Sequence, residues 1–151
     1  MVVMEEAVEE VAAPEEVNLV ELMNARARSY GMLARLFREE VDLPTLRENE
    51  LVRGNWNEAE DHIALELEFM QRLSLRAADA LSDDAEEEAI AYLRTSYDFL
   101  ENHLLNWVPM LVADMRMHAR TLFYQGLAQL TLGSLQEDEA VLRELLDSVE
   151  A

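Results

Sequence analysis

The stretch Asn57-Glu58-Ala59-Glu60-Asp61-His62-Ile63-Ala64-Leu65-Glu66-Leu67-Glu68-Phe69-Met70 decides the fold. It reads as a helix that is acidic at its mouth and apolar further in. Asn57 is a good N-cap, and Glu60 three residues on completes a capping box. Glu58, Glu60 and Asp61 then lie in the first turn, where the helix dipole favours negative charge. Ile63, Leu67 and Met70 follow at helical spacing and form a stripe that must be buried. Leu65 and Phe69 form a second stripe beside it. One side of this helix is core, and its mouth presents Asp61 and His62.

Upstream, residues 1–13 are acidic with Val and Ala mixed in and read as a flexible tail. Pro14 can open a first helix that runs to about Glu40. Leu19, Leu22, Met23, Arg26, Tyr30, Leu33, Leu36 and Phe37 give it a broad apolar stripe with one Arg in it. Arg26 is expected to pair with a core carboxylate or to lie at the stripe's edge. Asp42-Leu43-Pro44 breaks the helix, and residues 42–57 read as a hinge or linker. Trp56, next to the cap, sits where a hydrophobic staple residue sits.

Downstream, the helix continues to about Leu81. Ser82-Asp83-Asp84 ends it, with Asp83 and Glu86 as a further capping pair. The next helix covers about Ala85 to Asn106, with Ile90, Leu93, Tyr97, Leu100 and Leu104 as its stripe. Trp107-Val108-Pro109 predicts a kink or a new helix, because Pro109 has no N–H for the preceding turn. A short Met-rich helix to His118 follows. A last pair covers Thr121 to about Leu132 and about Gln136 to Ser148, with Gly133-Ser134 as the break. No strand alternation of useful length occurs. The expected fold is all-α, a single compact bundle of about five to seven helices over residues 14–151.

Composition narrows the function. The formal charge is −20, with 32 acids against 12 bases, and every base is Arg. That argues against nucleic acid, which needs a basic face, and suits a basic partner. It also serves plain solubility. With no Cys, disulfides, thiolate catalysis and Cys-ligated zinc are excluded. No apolar run is long enough to span a bilayer. Glu5, Glu6, Glu9 and Glu10 leave no positive n-region for a secretory signal, so a cytoplasmic location is expected.

Catalytic patterns are missing. None of His62, His103 and His118 has an acid three residues before it, as a di-iron bundle requires. Glu58/His62 and Asp114/His118 are spaced by four, which is also the spacing of ordinary helix salt bridges. Asp61 and His62 are neighbours on a helix and point about 100° apart, so they cannot form a triad's Asp–His bond. There is no metalloprotease, serine-hydrolase or phosphate-loop motif. The reading is a non-enzyme with no metal and no cofactor.

The run EAEDHIALELEFM resembles the signature of the TorD/DmsD/NarJ family, in which E-P-x-D-H-I leads into E-L-x-F-M. Arg26-x-x-x-Tyr30-x-x-Leu33-Ala34-x-Leu36-Phe37 resembles the family's first helix. The segment from Phe99 to Pro109 resembles its F-x-x-x-H-L-x-x-W-x-P, and Thr121-x-Phe123-Tyr124-x-x-Leu127-Ala128 the start of its last helices. The four matches occur in order. In that family a block of helices separates the first helix from the D-H helix. Here Leu46 to Asn55 spans that distance. A partner protomer or exchanged helix is then expected to cover apolar faces left on both helices.

The resemblance implies a cytoplasmic chaperone. Its partner is the precursor of a molybdopterin-dependent oxidoreductase, held by its twin-arginine signal peptide or as apo-enzyme while cofactor is inserted before export. It points to Asp61 and His62 as binding surface. The residues agree in kind: Glu58, Glu60 and Asp61 can meet a guanidinium, and Trp56 can take an apolar part of a peptide. His103 and Trp107 are expected in the core or at a helix junction. The alternative is a structural or oligomerising helical module, a homodimer, that has lost peptide binding.

Overall fold

A computed structural model describes residues 18–40, 56–118 and 121–150, with the backbone alone for residues 40 and 56–61. All regular structure among them is helical. Helix α1 (Leu19–Arg35) runs into a π-helical turn (Leu36–Glu40); α2 is Trp56–Ser82; α3 (Glu86–Phe99) runs through a second π turn (Leu100–Leu104) into α4 (Leu105–His118); α5 is Leu122–Glu150. These pieces make four continuous rods, fewer than the five to seven helices expected.

Helix α1 starts at a cap. Asn18 is extended (φ −80°, ψ 104°), and its side chain accepts a hydrogen bond from the Glu21 N–H at 3.1 Å. A helix running unbroken from Pro14 is therefore excluded. Asn18 standing three residues before Glu21 was the sequence signal. Helix α2 begins at Trp56, so the linker expected at 42–57 ends two residues early. Its other residues, from 42 to 55, lie outside the described set. A cap preference is worth about 1 kcal/mol and does not fix a boundary to the residue.

The junction of α2 and α3 also departs from expectation. The residue before α3 is Ala85, which makes no side-chain cap bond, so Asp83 does not cap. Instead the chain closes α2. Asp84 adopts φ 58°, its N–H donates to the Leu81 carbonyl (3.3 Å), and the Ala85 N–H donates to that of Ala80 (2.8 Å). This is a Schellman C-cap with Asp where Gly is usual.

One predicted break lies upstream of its expected place and another does not occur. Pro109 lies inside α4. The irregularity comes just upstream, in the π turn, where the Leu105 N–H reaches back to Leu100. A π turn shifts the ladder without ending it, and Leu105 carries the carbonyl that Pro109 cannot serve. Gly133-Ser134 is likewise inside α5. An interior Gly costs about 1 kcal/mol, and the buried stripe Leu127, Thr131, Leu135, Asp138, Leu142 and Leu146 continues across it.

The core follows the helical periodicity. Ile63, Leu67 and Met70 of α2 are fully buried, against Met23, Tyr30 and Leu33 of α1, Phe37 of the π turn after it, and Leu93, Leu100, Leu104, Val108 and Met115 of the third rod. Of the stripe expected for α3 and its π turn, Leu93, Leu100 and Leu104 are buried, while Ile90 and Tyr97 are half-buried and Ala89 and Ser96 lie inside instead. Helix α1 packs most extensively on α2, α2 on α3, and α4 on α5, while α1 and α5 barely touch. Gly31 allows the tight approach of α1 to α2, where an added Cβ would lie 2.5 Å from the Gln71 amide. Helix α2's second stripe is left outside: Leu65 is 56% and Phe69 41% exposed.

Candidate functional site

The acidic mouth of α2 comprises Trp56, Glu58, Glu60 and Asp61. All four have helical backbone in its first two turns, and their side chains lie outside the described residues. His62 is exposed. Four residues on, along the same helix face, stands Glu66.

Glu66 joins two distant segments. One carboxylate oxygen, Oε2, accepts a hydrogen bond from the Trp107 indole N–H at 2.9 Å. The other, Oε1, contacts His103 Nε2. The His103 ring stacks on Phe99 with centroids 4.9 Å apart and planes 28° apart. Phe69, on α2, meets Phe99 edge-on at 4.9 Å. Phe99, His103 and Trp107 are spaced by four, and the π turn that carries His103 lies between the other two. Such turns recur at functional sites because they re-aim side chains.

This cluster is an aromatic shelf with a carboxylate at its centre. The Glu66 side chain is 18% exposed and that of His103 50%, while Trp107 is half-buried. His103 is thus a surface residue at a helix junction and not a core one. Glu66 was missed in the sequence reading. The available signal was its spacing of four from His62, matched by the spacing of His103 and Trp107.

A second polar group is buried. Arg26 donates to Asp138 through Nε at 2.6 Å and Nη2 at 3.0 Å, and the Tyr30 hydroxyl donates to the same carboxylate at 2.6 Å. This meets the expectation that Arg26 pairs with a core carboxylate. Burial, then the Asp138 charge and hydrogen bond, hold the Tyr30 phenol well above its ordinary pKa. The group forms the floor of a cleft of about 220 Å³ between α1 and α5, walled by Ala25, Ser29, Ser134 and Glu137. A larger apolar cleft of about 330 Å³, lined by Leu19, Met23, Leu81, Ile90, Leu93 and Leu145, lies at the far end of α2. Leu81 is 19 residues from His62, or roughly 28 Å along a helix, so this cleft is not part of the acidic mouth.

Among the described residues no three His, Asp or Glu side chains gather as a metal group. No described helix is long and apolar enough to cross a membrane.

Comparison with known proteins agrees with this layout. The family described as "Nitrate reductase delta subunit" matches residues 45–113, which hold both α2 and the shelf. The chaperone protein TorD of Vibrio cholerae is 32% identical over 95 residues, covering 63% of this chain and 42% of the relative. The perchlorate reductase assembly chaperone protein of Dechloromonas aromatica is 38% identical over 74 residues, covering 49% and 32%. A TorD chaperone of Photobacterium profundum is 32% identical over 90 residues, covering 60% and 40%. The matched stretch thus spans about two fifths or less of these curated relatives. No solved structure matches. With its signature segments on packed helices in the expected order, the chain is similar over residues 45–113 to the nitrate reductase delta subunit family and over a longer stretch to chaperones named TorD.

Proposed function

We propose that this chain is a binding protein and not a catalyst. It holds the precursor of a molybdopterin-dependent oxidoreductase in the cytoplasm while cofactor is inserted. Relatives named as chaperones of TorD type and of perchlorate reductase assembly support this reading. The observation that carries it is the single face of α2 that runs from exposed His62 to Glu66 and the shelf, on a helix whose first turns are acidic in sequence. Carboxylates at a helix mouth meet guanidinium groups in charge-assisted bonds, and adjoining aromatic surface takes apolar side chains.

The test is calorimetric titration with a twin-arginine leader peptide and its Lys-Lys variant at two salt concentrations. Micromolar binding, weaker in salt and selective for arginine, is expected. Asp61→Ala with His62→Ala is expected to weaken it by about tenfold or more, with helix content unchanged. Full affinity in that variant removes the two residues from the site. Binding of neither peptide turns the search to the mature apo-enzyme.

A second reading is an oligomerising module. It is supported by exposed apolar side chains near the α4–α5 connection: Met110 (71%), Met117 (75%), Leu122 (86%) and Phe123 (47%). Exposed apolar patches of this kind mark interaction surfaces. Light scattering separates the two: a tight dimer without leader affinity supports the module, and a monomer that binds leader supports the chaperone.

A further inference from the structure

From the Glu66 shelf we infer a guanidinium-binding subsite in which His103 is a removable stand-in for the incoming group. The inference deepens the reading above and rests on it only for the source of the ligand, an arginine of the client segment.

Four observations lead there. First, six carboxylates contact a basic side chain among the described residues, and five of them, Asp138, Glu21, Glu68, Glu150 and Glu139, pair with the chain's own arginines. Glu66 pairs with a histidine. Second, its carboxylate is oriented and partly desolvated. The Trp107 indole N–H holds one oxygen at 2.9 Å, and the side chain is only 18% exposed. A charge-assisted bond there is worth more than one in open water. Each carboxylate oxygen accepts more than one hydrogen bond, so Oε2 can serve both Trp107 and a ligand.

Third, one wall is a flat aromatic face, that of Phe99 beneath His103. A guanidinium stacks on such faces and donates in its own plane, and an ammonium does not. Fourth, His103 already occupies that geometry. Its planar ring lies on Phe99 and presents Nε2 to Glu66 Oε1. Its ring is half-exposed and offers Glu66 a single donor, so a guanidinium entering from solvent with a fork of donors can displace it. Exposed Leu65 and the exposed part of Phe69 flank the position and suit an apolar neighbour of the arginine.

The test uses the full chain and reads the Trp107 indole N–H by nuclear magnetic resonance, assigned with Trp107→Phe. The probes are a blocked Arg-Arg dipeptide amide and its Lys-Lys counterpart. The arginine probe is expected to move the Trp107 signal saturably, and the lysine probe about tenfold less effectively. Glu66→Gln keeps the shape and loses at least about tenfold in affinity. Glu68→Gln, two residues away in sequence but paired with Arg38, leaves the titration unchanged. His103→Ala removes the competitor and tightens the arginine probe several-fold.

No saturable response, equal response to the two probes, or full affinity in Glu66→Gln overturns the subsite. Weaker or equal affinity in His103→Ala overturns the stand-in role. These outcomes are separable from the chaperone reading. A client leader that binds while this titration fails removes Glu66 alone, and a positive titration with no client binding removes the client and keeps the subsite.

Discussion

The guanidinium of Arg26 and the carboxylate of Asp138, 112 residues apart, meet in the core through two parallel hydrogen bonds of 2.6 and 3.0 Å. Their side chains are 5% and 9% exposed. This pair ties α1 to α5, two helices that otherwise share little surface. Paired burial of charge is tolerated because each partner satisfies the other; removing one leaves an uncompensated charge.

Asp138→Ala is therefore expected to cost about 3–5 kcal/mol in urea unfolding. Replacing the group together, Arg26→Met, Tyr30→Phe and Asp138→Leu, is expected to recover most of that loss, since no buried charge remains. A triple variant as unstable as Asp138→Ala would contradict this account.

Tyr30 makes stability sensitive to alkali. Its folded pKa lies above the ordinary value of 10.0, so the folded chain keeps a proton that the unfolded chain releases. The stability this supplies is whole below about pH 10 and declines as pH rises toward the folded value. Tyr30→Phe is expected to cost about 1–2 kcal/mol at neutral pH, because Asp138 loses a donor. It should also lose less stability than the parent between about pH 9 and 11. Parallel slopes in unfolding experiments over that range would exclude the coupling.

Gly126 and Gly133 face outward on α5, and an added Cβ at either meets nothing within 4 Å. Gly126→Ala and Gly133→Ala are each expected to stabilise the chain by about 0.5–1 kcal/mol through helix propensity. Gly31→Ala is expected to gain less, because the Gln71 amide must move. Thermal unfolding of the three variants ranks them directly.

Asp84 holds a left-handed conformation at φ 58°, which costs a non-glycine residue roughly 1 kcal/mol. It also places a carboxylate at the negative end of α2. Asp84→Gly is expected to raise stability by a few tenths to 1 kcal/mol. A loss would mean that the side chain has a role beyond the turn.

The periodicity of α2 was legible in the sequence. Ile63, Leu67 and Met70 recur at helical spacing and are buried, since a helix in water must bury such a stripe. The all-helical class followed from the same repetition along the chain, and the family resemblance from four short segments in order. The helix ends were less legible. The local signal at Pro109 misplaced an irregularity that comes upstream as a π turn, and the signal at Gly133 argued for a break that a continuous buried stripe overrode. Of the candidate site, the sequence indicated the face of α2 bearing His62, and it missed Glu66.

By itself, then, the sequence determined what repeats locally: which residues form helices, which side each helix buries, and the acidic balance that favours a basic partner. Only the tertiary structure decided which carboxylate meets which cation. Glu66 with His103 and Trp107, and Asp138 with Arg26 and Tyr30, join positions 37, 41, 112 and 108 residues apart. Helical periodicity is a property of neighbours within two turns and can place Glu66 on a face with His62, whereas these pairings depend on how the rods pack.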